Sequence, residues 1–331
     1  MNYQKDSTMI DNSFLKQPVF GLDMMAKSHF INERLSSLTI HHYQHCIDYR
    51  KMLDASNFDP NNITNYQSIP FLPVRLFKNY DLKSVKNDDV IKTMTSSGTT
   101  GQEVSKIYLD KNTARLQTKI LSKILESFIG KSRLPMIILD SSSVIKDPSM
   151  FSARGAGILG FSIFGREKVY ALNENMELNL EVLESFLNNH KGKRILLFGF
   201  TYMIWQYFYK LLKGNDHSLD LSKGLLIHGG GWKKIEDQSV SKERFKKEIN
   251  SVCGIENIFD YYGMVEQTGS IFMECESGHL HASIFGDVII RRSTDFSIAD
   301  IGEEGIIQVL SVIPESYPGH SLLTEDKGIL L

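Results

Sequence analysis

The chain has 331 residues, 42% of them hydrophobic and 23% charged, which is the composition of an ordinary globular protein with a large core. Its formal net charge of −2 excludes a general attraction to nucleic acid or to an anionic membrane surface. The stretch from Met1 to Gln17 is polar, and no apolar run reaches the length of a bilayer span. Together with three scattered cysteines, these features predict a cytoplasmic protein without a membrane anchor.

The first part of the chain is expected to be helical. It leads into an irregular stretch with Asn-rich and Pro-containing sequences, such as Phe58 to Asn62 and Ile69 to Pro73. We therefore expect a helical segment and linker over residues 1–68, followed by one α/β domain over residues 69–331.

Runs of Ile, Val, Leu and Phe predict the strands of the main body, and apolar residues at helical spacing predict the helices between them. The predicted strands are Pro135 to Leu139, Arg194 to Phe200, Leu225 to His228, Asp287 to Arg292 and Gly305 to Pro314. The predicted helices contain Leu116 to Phe128, Ile204 to Leu212 and Phe245 to Val252. This alternation predicts an α/β sheet protein whose ligands bind at the carboxyl ends of the strands.

The loop from Thr95 to Gly101, followed by Lys106, has the composition of a phosphate-binding loop. Its glycines let backbone N–H groups approach phosphate oxygens, its five hydroxyl side chains add donors, and the lysine adds a charged donor. The spacing does not match the Walker A pattern, which disfavours a P-loop NTPase.

Two further loops follow predicted strands and carry glycines or polar residues. They are His228 to Trp232, which contains three consecutive glycines, and Asp260 to Gly263. Because ligands of α/β proteins collect at the carboxyl ends of strands, we expect both loops to contribute to a binding site.

Other polar and aromatic clusters are interpreted as structural. Histidines and aromatic residues at helical spacing more often lie in a core than bind a ligand, a lysine pair is usually solvated, and a Cys/His cluster without a fourth ligand is usually a turn. These clusters are His41, His42 and His45; Trp205, Tyr207, Phe208 and Tyr209; Lys246 and Lys247; and Cys275, His279 and His281.

The order of the three loops resembles that of the adenylate-forming superfamily, which includes acyl-CoA synthetases, luciferases and peptide-synthetase adenylation domains. Its phosphate loop is matched by Thr95 to Gly101, its glycine-rich adenine loop by Gly229 to Gly231 and its Y-G-x-T-E motif by Tyr262 to Glu266. Its T-G-D segment is matched loosely by Thr324 to Asp326. The resemblance implies the large N-terminal α/β domain of that fold.

Four stretches resemble the bacterial bioluminescence acyl-protein synthetase family more closely. The resemblance implies that a long-chain fatty acid reacts with ATP to give acyl-AMP, and that the acyl group then passes to a protein cysteine and on to a reductase that makes aldehyde for luciferase. The implied partners are the fatty acid and the acyl-CoA reductase and thioesterase subunits of a fatty acid reductase complex. The stretches are Phe151 to Gly157, His228 to Lys234, Asp260 to Gln267 and Ser316 to Asp326.

The resemblance also implies roles for individual residues. Lys106 and Glu266 would be the catalytic residues, with Glu266 holding Mg²⁺ against the ATP phosphates. Asp326 would accept hydrogen bonds from the ribose hydroxyls. The other nucleotide-binding residues would be Ser96, Ser97, Gly98, Thr99, Thr100 and Gly101 around the phosphates, and Gly229, Gly230, Gly231, Asp260, Tyr261 and Tyr262 around the adenine.

The sequence departs from the superfamily pattern at three places. No proline precedes Lys106, Val265 stands where the motif has threonine, and the chain stops at Leu331, where superfamily members continue into a small domain. We therefore expect a missing or truncated C-terminal domain and an acyl-accepting cysteine beyond residue 331. Two alternatives stay open: an acyl- or aryl-CoA ligase of the phenylacetate type, and a non-catalytic subunit that binds an acyl chain or a nucleotide.

Overall fold

The computed structural model describes residues 14–96, 104–145 and 153–331, and the chain forms two compact units. Unit 1 consists of Met1–Ile124, Met264–Ile271 and Ala282–Leu331, and unit 2 consists of Leu125–Gly263 and Phe272–His281. The domain boundary expected at residue 68 stays a prediction.

The described helices and strands are numbered in chain order. The helices are α1 (Met24–His45), α2 (Ile47–Ala55), α3 (Leu76–Asn79), α4 (Lys111–Ile129), α5 (Ala153–Ser162), α6 (Leu180–Asn189), α7 (Thr201–Met203), α8 (Lys210–Gly214) and α9 (Lys242–Cys253). The strands are β1 (Leu72–Pro73), β2 (Val90–Thr95), β3 (Lys106–Asp110), β4 (Leu134–Ser141), β5 (Gly165–Leu172), β6 (Ile195–Phe200), β7 (Gly224–Gly229), β8 (Asn257–Tyr262), β9 (Phe272–Glu274), β10 (Leu280–Ala282), β11 (Gly286–Arg291), β12 (Glu304–Ser311) and β13 (Ser321–Ile329).

Helix α1 confirms the predicted helical character of the first part of the chain. It begins at an Asp23 cap, whose carboxylate accepts a hydrogen bond from the Ala26 N–H at 2.8 Å. The side chain of His42 is buried in this helix, with Nε2 donating to the Pro314 carbonyl at 3.0 Å and Nδ1 lying 2.7 Å from Ser84 Oγ. These contacts confirm the structural interpretation of this histidine.

Unit 1 contains a mixed sheet and a separate hairpin. The sheet order is β1-β13-β12-β11, in which β1 runs parallel to β13 and the other neighbours are antiparallel. Strands β11 and β12 confirm the two strands predicted in this part of the chain, although β12 ends at Ser311. The hairpin pairs β2 with β3 and places Thr95 opposite Lys106.

Unit 2 is built on a sheet with the order β10-β9-β8-β7-β6-β4-β5. Strands β5, β4, β6, β7 and β8 run parallel to their neighbours, and β9 is antiparallel to β8. Because the parallel strands end at one edge, their register brings Phe200, Gly229 and Tyr261 side by side. The predicted α/β fold is confirmed, and this edge positions two of the three predicted loops.

A hydrophobic cluster fills the face of this sheet that is covered by α6, α8 and α9. Between α7 and α8 the chain forms a π-helical segment, Ile204–Tyr209, rather than the expected regular α-helix. Trp205, Phe208 and Tyr209 are buried in the cluster, which confirms their assignment to the core. Among the described helices, none combines the length and the apolar character that crossing a membrane requires.

Candidate active site

The glycine loop at the end of β7 has a backbone that only glycine suits at two positions. A Cβ atom at Gly229 would collide with the ring of Tyr261 on the neighbouring strand β8, and Gly230 has a φ of +75°. The loop therefore exposes backbone N–H and C=O groups at the carboxyl edge of the sheet without side chains in the way.

Beside this loop lies a cavity of about 220 Å³ within unit 2. Three residues predicted from the sequence line it: Gly230, Gly231 and Asp260. The remaining lining residues come from β7, β9, the start of α7 and the region of α9, and they are Thr201, His228, Trp232, Val240, Lys242, Phe245, Lys246 and Glu274.

Asp260 is held in place by a buried carboxylate that the sequence did not single out. Its backbone N–H donates to Oε2 of Glu274 at 2.9 Å, and Lys246 Nζ lies 2.9 Å from the same oxygen. Glu274 is fully buried, so its charge requires this lysine. The expectation that Lys246 lies on a solvated face is wrong, because antiparallel pairing of β9 with β8 places Glu274 within its reach.

Burial raises the pKa of the Asp260 carboxyl to about 6, helped by the negative charge of Glu274 and opposed by Lys242 and Lys246. Next to it, the His228 ring is 5% exposed, and burial together with Lys246 and Lys242 lowers its pKa to about 3. The histidine is therefore neutral at physiological pH, and Asp260 is mostly ionised.

The two predicted tyrosines of β8 pack against different aromatic side chains. The ring of Tyr261 lies 5.0 Å from that of Phe161, and the ring of Tyr262 is stacked 6.0 Å from that of Phe272. Tyr261 thus also has a packing role in unit 2.

In unit 1, Glu266 lies in a short turn after Met264 and is 6% exposed. Burial raises the pKa of its carboxyl, whereas a hydrogen bond with the Ser105 side chain opposes that rise. Its backbone carbonyl accepts a hydrogen bond from the Tyr317 hydroxyl at 2.8 Å. The Ser105 contact therefore positions the carboxylate, and the Tyr317 contact positions the backbone that carries it.

The hairpin of β2 and β3 places Ser96 and Lys106 at the two ends of the predicted phosphate loop. Ser96 Oγ accepts a hydrogen bond from the Ser105 N–H at 2.9 Å, and the Ser96 N–H donates to the Ser105 carbonyl at 3.2 Å. The Lys106 side chain is exposed. Five predicted phosphate ligands lie outside the described residues: Ser97, Gly98, Thr99, Thr100 and Gly101.

Asp326 lies within strand β13, where its side chain is exposed. Its backbone N–H donates to Thr324 Oγ1 at 3.1 Å. The proposed contact between Asp326 and ribose stays a prediction.

Within the described ranges, no group of three or more His, Cys, Asp or Glu side chains is arranged to hold a metal ion. The Cys275 and His279 pair forms a turn instead, in which the Cys275 N–H donates to the His279 carbonyl at 2.9 Å.

Sequence reasoning placed His228 in a binding loop without assigning it a role, and it missed Thr201 and Glu274 as site residues. The position of His228 directly before the glycine run is a signal that could have indicated it. Glu274 carries no local signal, because its role depends on the pairing of two strands.

The chain is similar to known proteins along nearly its whole sequence. A family model described as "Acyl-protein synthetase, LuxE" matches residues 3–331. The chain is 24% identical over 308 residues to a long-chain-fatty-acid–luciferin-component ligase of Vibrio harveyi, which covers 88% of this chain and 76% of the relative. A protein of the same name from Aliivibrio fischeri is 22% identical over 310 residues, covering 87% of this chain and 76% of the relative.

Among solved structures, a 2-hydroxyisobutyryl-CoA ligase in its postadenylation state has a TM-score of 0.73 to this chain at 12% identity. The superposition covers 93% of this chain, which spans 64% of the length of that ligase. At this identity the likeness concerns the fold, and the fold expected from the sequence is confirmed. The expected family is confirmed by the match over nearly the whole sequence, and the chain belongs to the LuxE family of acyl-protein synthetases.

Proposed function

We propose that this chain is an AMP-forming ligase that activates a long-chain fatty acid as acyl-AMP and passes the acyl group to a protein thiol. The observation that carries this proposal is the acyl-protein synthetase family match over residues 3–331. The names of the relatives supply the substrate class, a long-chain fatty acid.

In this proposal the adenine of ATP binds at Gly229 to Gly231, beside Asp260 and Tyr262. The glycine backbone and the adjoining cavity support this position, because a flat heteroaromatic ring needs close approach to the backbone and a few polar partners. Asp326 binds the ribose, and its exposed side chain is accessible for that contact.

The phosphates bind to residues 96–101 and to Lys106. Support comes from the hairpin hydrogen bonds between Ser96 and Ser105, which hold the two ends of that loop together. The superfamily motif has a threonine where this chain has Val265, so one hydroxyl is missing near the phosphates. The Ser105 hydroxyl, which is hydrogen-bonded to Glu266, is a candidate to replace it.

Glu266 has the chemistry of a magnesium ligand. A buried carboxylate whose pKa is raised by burial is one that a nearby cation would stabilise in its ionised form. Magnesium is usually held by one or two carboxylates together with substrate phosphates, and when bound it neutralises charge on those phosphates. Glu266 and the ATP phosphates would form such a ligand set.

The two steps of the proposed reaction follow from the chemistry of carboxylates. A carboxylate oxygen of the fatty acid attacks the α-phosphorus of ATP, and the bond to pyrophosphate breaks as the acyl phosphate bond forms. A cysteine thiolate then attacks the acyl carbon and releases AMP. The Lys106 ammonium stabilises negative charge on the phosphates in the first step.

An acyl thioester is a suitable substrate for reduction to an aldehyde. We further propose that the reductase and thioesterase subunits of a fatty acid reductase complex are the partners of this chain, and that it acts in the cytoplasm.

The first test is the exchange of labelled pyrophosphate into ATP in the presence of Mg²⁺ and saturated acids of several chain lengths, with phenylacetate for comparison. Exchange that is greatest with a long-chain acid is expected. Greatest exchange with phenylacetate, or acyl-CoA release without labelled protein when CoA is added, would contradict the proposal and favour a CoA ligase. No exchange with any acid would contradict catalysis and favour a binding subunit.

Replacement of Glu266 tests its proposed role. We expect Glu266→Gln to lower long-chain-acid-dependent exchange by about 100-fold or more, because the neutral amide removes the charge that holds magnesium and the phosphates. The matched control is Glu304→Gln, an exposed glutamate of unit 1 paired with Lys327 on the surface. Equal exchange rates in the two variants would remove Glu266 from the site.

A further inference from the structure

The cavity beside the glycine loop contains a buried ring nitrogen whose partner is not supplied by the described part of the chain. Nε2 of His228 is buried and has no hydrogen-bond partner among the described residues. The ring lines the cavity together with Gly230 and Asp260. A buried polar atom without a partner is costly, so this nitrogen is suited to a ligand group.

The hydrogen bonds of Thr201 indicate which proton the ring carries. Thr201 Oγ1 donates to the Gly229 carbonyl at 3.3 Å and lies 2.9 Å from His228 Nδ1. The Thr201 hydroxyl has a single proton, and it donates that proton to the Gly229 carbonyl. The contact with His228 must then be a hydrogen bond from Nδ1–H to the hydroxyl oxygen. The Asp260 carboxylate, with Oδ1 3.8 Å from Nδ1, favours a proton on that same nitrogen. Nε2 is then an acceptor without a proton.

The charges that line the cavity favour a neutral ligand group. Lys242 and Lys246 contribute two positive charges, and Asp260 and Glu274 contribute two negative ones. Both lysines lie within 4 Å of Glu274, at 3.9 and 2.9 Å. A neutral amino group suits this position, because its two N–H bonds can donate to Nε2 of His228 and to the Asp260 carboxylate without adding a charge.

Aromatic side chains surround the acceptor and suit a flat ligand. The Phe245 ring lies 4.7 Å from the His228 ring, and the Trp232 ring lies 6.1 Å from that of Phe245. A planar amine-bearing ring would gain apolar contact with this wall while its amino group meets the two acceptors.

We propose that Nε2 of His228 accepts a hydrogen bond from the 6-amino group of the nucleotide purine and thereby selects adenine over 6-oxopurines. This inference rests on the proposed function, which places ATP at this loop, and it adds a specificity residue to that site. Inosine triphosphate presents a carbonyl oxygen where ATP has the amino group, so its binding would place two acceptors against each other.

The test compares the dissociation constants of MgATP and MgITP by calorimetry, without any acid present. Wild-type protein is expected to bind ATP about 30-fold more tightly than ITP, and His228→Phe is expected to reduce that ratio to about 3-fold or less. His228→Gln, which offers an amide oxygen as acceptor, is expected to restore part of the preference. Thermal unfolding of each variant shows whether the fold is intact.

The matched control is His190→Gln. His190 is also a buried histidine of unit 2, with Nδ1 lacking a hydrogen-bond partner among the described residues, but it does not line this cavity. The His190→Gln variant is expected to have the same ratio of MgATP and MgITP dissociation constants as wild type.

The inference would be overturned if a folded His228→Phe protein had the same ratio of ITP to ATP dissociation constants as wild type. It would also be overturned if wild type preferred ITP, because that preference would require Nε2 to carry a proton and act as a donor. These outcomes are independent of the pyrophosphate exchange assay. If exchange fails with every acid while ATP still binds more tightly than ITP through His228, the proposed reaction is wrong and the role of His228 in adenine specificity is still supported.

Discussion

The Asp260 carboxyl, a proposed binding residue, lies in an environment that disfavours its ionised form. It lies at the end of β8 with a quarter of its side chain exposed, and burial raises its pKa from 3.8 to about 6. The buried Glu274 accepts the Asp260 N–H and adds a second negative charge nearby. The fold therefore keeps Asp260 ionised at neutral pH at a cost in stability, which is common for residues that a ligand stabilises.

This cost predicts a pH-dependent effect of Asp260→Asn. Below about pH 4 the carboxyl is protonated in both folded and unfolded states, so the variant should match wild type. Between pH 4 and 6 the unfolded carboxyl ionises while the folded one stays protonated, and wild type loses stability. At pH 7 the variant should be more stable by about 3 kcal/mol in urea unfolding.

Asp220→Asn is a control that should change the free energy of unfolding at pH 7 in the opposite direction. Hydrogen bonds from the Ser222 hydroxyl and N–H lower the pKa of Asp220, so the ionised carboxylate stabilises the fold. Its replacement by a neutral amide should therefore destabilise the protein at pH 7. The interpretation of Asp260 is wrong if both variants change stability in the same direction with pH.

At residue level, the sequence was sufficient to predict site residues that belong to a local pattern. It was insufficient for residues that reach the site through contacts between distant parts of the chain. The glycines at 229–231 and the acid at 260 follow apolar strands directly, so their position at the sheet edge could be predicted. The link between Asp260 and Glu274 could not, because it depends on a turn and an antiparallel pairing across 14 residues. The same holds for Lys246, which reaches Glu274 from another element.

At the level of elements, strands with a continuous apolar run were predictable, and strands without one were not. Strands β4, β6 and β7 are almost wholly buried, and their apolar runs indicated them directly. Strand β5 lies at the sheet edge, and its first half is exposed and charged, so it has no such run. The second half of β13 pairs only with β12, and it is exposed and polar, so it has no such run either.

Helix α9 carries Lys242, Phe245 and Lys246 to the cavity, and its end is fixed by a glycine. Gly254 has a left-handed φ of +71°, and its N–H donates to the Asn250 carbonyl at 2.7 Å. An added Cβ at this position would meet its nearest atom at an ordinary 3.6 Å. A substitution would therefore act through backbone conformation and not through a clash.

We expect Gly254→Ala to destabilise the protein by about 1 kcal/mol, which would lower the thermal midpoint by about 2 °C. Gly214→Ala is the matched control, since Gly214 ends α8 and an added Cβ would meet nothing within 4 Å. That variant should be neutral or slightly stabilising, because alanine reduces the freedom of the unfolded chain. Equal losses for both variants would contradict a special role of the left-handed backbone.

At the level of the whole molecule, the chain passes from one unit to the other within the segment Asp260 to Glu266. The first segment of unit 2 ends at Gly263 and unit 1 resumes at Met264, so Asp260 and Glu266 belong to different units although they are six residues apart in sequence. The strand that carries two of the proposed adenine-binding residues therefore continues directly into the turn that carries the proposed magnesium ligand.

The three cysteines provide separate reporters for the two units. Cys46 in unit 1 and Cys253 in unit 2 are each 3% exposed, and burial raises the pKa of the Cys253 thiol to about 12. Cys275 is partly exposed, and hydrogen bonds from backbone N–H groups, that of His279 first, lower its pKa. Iodoacetamide should therefore modify Cys275 directly, and the two buried thiols only when their own unit opens.

Adenosine should slow the modification of Cys253 and leave that of Cys46 unchanged, because all the proposed adenine ligands belong to unit 2. At a concentration 100 times its dissociation constant, a ligand that binds only the folded unit reduces the open population by about 100-fold. Mass spectrometry of each cysteine over time measures the three rates in one experiment, with Cys275 as the unprotected reference. Equal protection of Cys46 and Cys253 would mean that the units open together, and protection of neither would argue against adenine binding at the glycine loop.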